Sequence, residues 1–270
     1  MKNEVTTHDA PVLYFSHGGG PLPLLGDPEH QAMVDWMRTI TRTVGSPDAI
    51  LLISAHWEEP VAKVTGGPYP SLIYDYYGFP EETYRIQYPA PGAPELAEKV
   101  FQLLRASGLE ARNDRQRGFD HGMFVPLILM YPEAAIPCVQ LSLLKSLDPE
   151  AHIRMGQALS ELRKENLLII GSGFSFHNLR ALMARNRGER DVRNEEFDRW
   201  LIDTCTNESL FPEERARRLV EWEQAPSARY CHPREEHLLP LHVCYGLANA
   251  PALLVFNDQI LGKMASAFLW

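Results

Sequence analysis

The sequence predicts an α/β fold: a single domain built on one mostly parallel central sheet, with helices on both faces. Three observations predict it. Short apolar runs of strand length recur along the chain. Most of them lack polar alternation, as strands buried on both faces do. Helical patterns lie between them, and strands that alternate with helices imply a largely parallel sheet.

Taken in order, Val12 to Ser16, Ala49 to Ser54, Val61 to Thr65, Ile136 to Leu141, Leu167 to Gly171 and Leu253 to Phe256 read as strands. Asp27 caps a helix with Pro28 at its first position, running to about Val44. A second starts at Pro94, after Ala93, and ends before Gly108. Asp148-Pro149-Glu150 opens a third, through Lys164. The charged stretch Arg185 to Arg193 reads as a solvated loop leading into a helix from Asn194 to Thr206. The segment Gly66 to Pro94 is rich in Pro, Gly and Tyr and has no clear period. A loop that long in a compact domain is usually functional. Its aromatics either wall a pocket for a flat ligand or pack on one another. No linker or repeat divides the chain, so residues 1–270 are expected to form one domain.

Composition narrows the function classes. At 45% hydrophobic and 23% charged, the chain has an ordinary globular make-up. A net charge of -9 argues against a nucleic-acid partner, which needs a basic face. The four cysteines, Cys138, Cys205, Cys231 and Cys244, form no C-x-x-C pair. Met1 to Thr6 lacks the apolar core of a secretory signal, and the apolar runs are too short to cross a bilayer. No membrane association and a cytoplasmic location are expected, with a monomer or small homo-oligomer.

The chemistry points to histidine. His17 follows a strand and precedes Gly18-Gly19-Gly20-Pro21. Glycine lets backbone come close to a ligand. His56 repeats the arrangement in Ser54-Ala55-His56-Trp57-Glu58. His121 lies between Asp120 and Gly122, and Asp120 is a candidate to hold its ring. His177 follows a strand and the loop Gly171-Ser172-Gly173-Phe174-Ser175-Phe176. Arg234 to Leu241 reads as a helix start, with His237 inside it and His242 on another face. His237 is the preferred third ligand beside His17 and His56, and His232 is expected behind it or facing substrate. His8, His30 and His152 are expected to face solvent. Strand ends of an open sheet converge on one crevice, so several imidazoles there suggest a metal with nitrogen ligands. There is no G-x-S-x-G, H-E-x-x-H or P-loop motif. The residues alone leave hydrolysis and oxygen chemistry both open.

The motifs together resemble a known family. They are Ser16-His17-Gly18-Gly19-Gly20-Pro21, Ser54-Ala55-His56-Trp57-Glu58, Tyr74-Asp75-Tyr76-Tyr77-Gly78-Phe79-Pro80, Asp120-His121-Gly122, Gly171 to Asn178 and His232 to Leu241. In this order they resemble the class III extradiol ring-cleaving dioxygenases of the LigB superfamily, in the single-chain branch similar to DOPA dioxygenases. The resemblance implies one divalent metal per chain on His17, His56 and His237. Fe(II) is expected for activity, and an all-nitrogen site also suits Zn(II). It implies His177 as the active-site acid and base, in some members close enough to count as a fourth ligand, and His121 as a hydrogen-bonding histidine beside it. The implied partners are a small catechol, DOPA-like and cleaved at the 4,5 bond, and O2. A zinc hydrolase using the same site, and a non-catalytic metal-binding protein on this scaffold, stand as the alternatives.

Overall fold

The computed structural model describes residues 9–184 and 189–270. Its strands are β1 (Val12–Ser16), β2 (Ala49–Glu59), β3 (Ala62–Thr65), β4 (Ala111–Asp114), β5 (Cys138–Leu144), β6 (Leu167–Gly173), β7 (Leu253–Ile260) and β8 (Lys263–Leu269). They join one sheet in the order β4-β3-β5-β2-β6-β1-β8-β7. The central strands β5, β2, β6 and β1 run parallel. β8 pairs antiparallel with β1, and β7 with β8. At the other side β3 meets β5 antiparallel and pairs in parallel with β4. The mostly parallel sheet is as expected, with antiparallel additions outside its parallel centre.

β4 and β8 were not legible as apolar runs. β4 is a short edge strand with three polar residues. β8 carries Lys263 and Ser266, both buried. Lys263 Nζ lies 2.9 Å from Asp191, and the Ser266 hydroxyl donates to Asp198 at 2.6 Å. Partners of this kind let polar groups enter a core strand.

The α-helices among the described residues are α1 (Gln31–Val44), α2 (Pro94–Ala106), α3 (His121–Met130), α4 (Pro149–Ala158), α5 (Leu179–Leu182), α6 (Val192–Thr206), α7 (Pro212–Val220), α8 (Ala228–Cys231) and α9 (Leu239–Ala248). A 3-10 turn, Pro28–His30, precedes α1, and another, Ser160–Lys164, follows α4. Asp148 caps α4 by accepting from the N–H groups of Glu150 and Ala151. The helix expected from Arg234 instead begins at Leu239, with Pro240 in its first turn. Proline fits there because the first N–H groups have no helical partner. His237 therefore precedes the helix. Residues 185–188 of the charged stretch, and His8, lie outside the described residues.

The sheet is covered on both faces. Gly171 of β6 lies under α9, where a Cβ would crowd the Pro240 carbonyl and the Cys244 sulfur. Its neighbour Ser172 points the other way and donates to the Gly122 carbonyl in α3. Successive strand residues face opposite sides, so α9 and α3 lie on opposite faces. α4 packs on α9 with glycine at both contact points. A Cβ on Gly156 would overlap the Val243 carbonyl oxygen, and one on Gly246 the Ile153 carbonyl oxygen. Gly156→Ala should therefore destabilise the fold by about 1–3 kcal/mol, despite alanine's better helix propensity. Thermal unfolding of the two proteins checks this. An unchanged or raised Tm would contradict the close crossing.

Candidate metal centre and active site

The parallel strands deliver their histidines to one end of the sheet. β1 ends at Ser16, and the next residue, His17, donates its N–H to the Gly173 carbonyl at 2.9 Å. Gly18 then takes a φ of +85°, a conformation that favours glycine, against the His30 ring. His30 is fully buried rather than facing solvent. Its Nε2 accepts from the Gly19 N–H at 3.0 Å, and its Nδ1 lies against the Asp27 carboxylate. The expected exposed residue thus shapes the loop after His17. His152 is also fully buried, where its Nε2 accepts from the Leu144 N–H at 3.0 Å.

His56 leaves the ladder at an irregularity in β2, where the register with β5 shifts between Ser54 and Glu58. Its N–H donates to the Ser54 hydroxyl oxygen at 3.1 Å, and that hydroxyl donates to Asp120 at 2.8 Å. Asp120 is fully buried and also bonded to Gln140 and Arg117. It serves the His56 backbone, not the His121 ring.

His237 arrives from the segment before α9. Its carbonyl accepts from the Tyr14 hydroxyl at 3.1 Å and the Phe174 N–H at 3.0 Å. A Cβ on Gly173 would overlap that same oxygen, so glycine lets the segment sit directly on β6.

Three imidazole nitrogens meet here. His56 Nε2 lies 3.1 Å from His17 Nε2 and 3.3 Å from His237 Nε2. The far nitrogen of each ring faces an oxygen. His17 Nδ1 is 3.0 Å from the Ser172 hydroxyl. That hydroxyl spends its proton on the Gly122 carbonyl, so it accepts from His17. His237 Nδ1 donates to Glu236 at 2.9 Å, and His56 Nδ1 lies 3.5 Å from Asp75. Protons on Nδ1 leave three Nε2 lone pairs turned inward. Burial above all, then the neighbouring imidazoles, hold the pKa of all three rings well below the ordinary histidine value, although Asp75 pulls His56 upward. Neutral rings with convergent lone pairs are the donor set a divalent cation takes.

Two further histidines stand beside this trio. His177 stacks on His237 with ring centroids 3.4 Å apart, and His121 lies 3.9 Å from His56. His177 Nδ1 lies 2.9 Å from Glu236 Oε1, the oxygen that also receives His237. His121 Nδ1 lies 2.8 Å from Asp75 Oδ1. Each carboxylate thus orients one ring of the trio and one ring beside it.

A family profile, the catalytic LigB subunit of aromatic ring-opening dioxygenase, matches residues 5–262. The chain belongs to the LigB family. The dioxygenase tasH of Hapsidospora irregularis is 43% identical, over 97% of this chain and 85% of the relative. A 4,5-DOPA dioxygenase extradiol of Beta vulgaris is 39% identical, over 94% and 93%. The crystal structure of an uncharacterized protein from Escherichia coli K12 superposes with a TM-score of 0.77 at 28% identity, covering 96% of this chain and 99% of that one. The expected class, an extradiol aromatic ring-cleaving dioxygenase, stands.

The two carboxylates of this LigB chain carry roles that sequence reading did not assign. Burial would raise the Asp75 carboxyl, but the hydrogen bond from His121 and favourable electrostatic interaction with the His121 and His56 rings outweigh it, and its pKa falls to about 2. Burial likewise opposes ionisation of Glu236, yet His177 and Arg234 hold its pKa below the usual value. Arg234 also grips Glu58 through two bonds of 2.5 and 2.6 Å, tying the segment before α9 to the end of β2. Asp75 lies in the long aromatic loop, whose Tyr74, Tyr76 and Tyr84 pack on one another, with Tyr76 edge-on to His121. The loop packs on itself and also reaches the site. Glu236→Gln should weaken metal binding by roughly tenfold or more, because the neutral amide loses the charge that strengthens the bonds from both ring N–H groups. Competition with a chelator measures this, and unchanged affinity would contradict the shared-carboxylate arrangement.

Proposed function

We propose that the chain opens the ring of a catechol with O2 at one divalent metal held by His17, His56 and His237. The convergence of three Nε2 lone pairs, each ring steadied at its other nitrogen, carries the reading. A bound metal supplies Lewis acidity to the diol oxygens and, as Fe(II), redox access to dioxygen. The protein's own residues handle the protons.

His177 keeps Nδ1 toward Glu236, which leaves Nε2 to take a proton from the catechol and later return it. Glu236 steadies the ring in either state and fixes its plane against His237. His121, held by Asp75, presents its Nε2 in the same way and orients a second oxygen. The relatives named 4,5-DOPA dioxygenase favour a DOPA-like catechol and 4,5 cleavage. The chain acts as one domain, the eight strands among the described residues sharing a sheet.

Among the described residues no helix is long and apolar enough to cross a membrane. The cysteines are buried and unpaired, which supports a reducing, cytoplasmic setting. The net charge of -9 favours a small-molecule partner over nucleic acid, and a monomer or small homo-oligomer suffices.

The test is loading with Fe(II) or Zn(II) under anaerobic conditions, followed by a substituted catechol and air. Oxygen uptake with a ring-opened product is expected for iron alone. Iron-loaded protein that binds a catechol but takes up no oxygen and opens no ring would contradict the reading.

A further inference from the structure

Beside the metal centre, one fully buried histidine has a single bonded ring nitrogen. His232 lies between Phe197 and Trp222, with ring centroids at 5.3 and 6.0 Å. It has no solvent-facing surface, so it does not reach a substrate. Its Nε2 lies 3.0 Å from the Ser175 carbonyl oxygen, an acceptor, so Nε2 carries the proton. Its Nδ1 has no hydrogen-bond partner among the described residues. The polar chemistry of this ring therefore has one target, two residues before His177.

Other bonds show what that target belongs to. Residues 175–178 are stitched to residues 230–232 at three places. His177 N–H donates to the Cys231 carbonyl at 3.0 Å, and Asn178 Nδ2 donates to the Tyr230 carbonyl at 2.6 Å. The third stitch is His232 to Ser175, the one in which the 230–232 segment uses a side chain. Ser175 is also pinned from the sheet: its N–H donates to Ser16 Oγ at 3.0 Å, and its Oγ accepts from the Ser266 N–H at 2.8 Å. Downstream of His232, Glu236 receives the His177 ring itself. One segment thus fixes His177 at both backbone and ring.

We propose that His232 is a positioning residue for His177, setting where its Nε2 meets the substrate through the Ser175 carbonyl. The proposal rests on His177 acting as the acid and base. A displacement near 1 Å in such a group costs on the order of a hundredfold in rate. A bond two residues from the moving group is expected to matter somewhat less.

The experiment compares His232→Leu, which fills the space without a donor, with His232→Gln, whose amide can still donate to Ser175. In iron-loaded protein, His232→Leu should lower kcat by about 10- to 100-fold with metal content and KM little changed. His232→Gln should restore kcat to within about fivefold of wild type. In a His177→Ala background, His232→Leu should add less than a twofold further loss, because the two act as one unit. Equal losses in the Leu and Gln variants, losses that multiply with His177→Ala, or a folded His232→Leu with normal kcat would each overturn the proposal. Should His232→Leu fail to fold, nitrogen NMR of the wild type decides: an Nε2-protonated ring supports the bond and an Nδ1-protonated ring refutes it. Iron-loaded wild type without ring opening would count against the functional reading instead, and the tautomer would still report the bond.

Discussion

His237→Ala is expected to leave the chain folded but unable to hold its metal. His237 supplies one of three inward nitrogens, and its Nε2 lies 3.3 Å from that of His56. Removing it leaves two imidazoles and an open side, which is too few donors for tight binding of a divalent cation. Metal content per chain should fall from one equivalent to a small fraction, and ring opening should fall with it. The backbone anchor of His237 does not depend on its side chain, since Tyr14 and Phe174 bind its carbonyl. The variant should therefore unfold near the wild-type temperature. Full occupancy in this variant would place the third ligand elsewhere, with Glu236, 2.9 Å from the His237 ring, a candidate.

His177→Ala should separate binding from turnover. The three inward nitrogens remain, so metal content should stay at one equivalent. Turnover should fall by about 10²-fold or more, the scale of losing a general acid–base group. His177 stacks on His237 and shares its carboxylate, so some change in metal affinity is expected, within about tenfold. Measuring bound metal and product formation on the same sample distinguishes the roles. Loss of metal in His177→Ala would make His177 a fourth ligand. Unchanged turnover would remove it from the proton chemistry.

Much of this arrangement is legible in the sequence because strand ends are. His17 and His177 follow apolar runs closed by small residues, and a parallel sheet brings such positions to one side. His56 is legible for the same reason, although β2 continues past it through a shifted register held by the buried Asp120. Local spacing misleads where side chains reach across the fold. Asp120 adjoins His121 in sequence, yet the partner of His121 is Asp75, whose loop carries no period to reveal its direction. His30 and His152 have polar neighbours and look exposed. Both are buried because a backbone N–H needs each as an acceptor, a demand invisible before the loops are placed. The start of α9 did have a local signal. Pro240 suits a first turn better than a helix interior, and it marks the boundary that leaves His237 outside.

Ring opening here depends on one cation seated among three imidazoles. Anomalous diffraction from crystals of the metal-loaded protein tests it most directly. One peak per chain is expected, about 2.0–2.2 Å from the Nε2 atoms of His17, His56 and His237. A peak bound through Asp75 or Glu236 instead, or no peak among the three rings at full metal loading, would contradict the account.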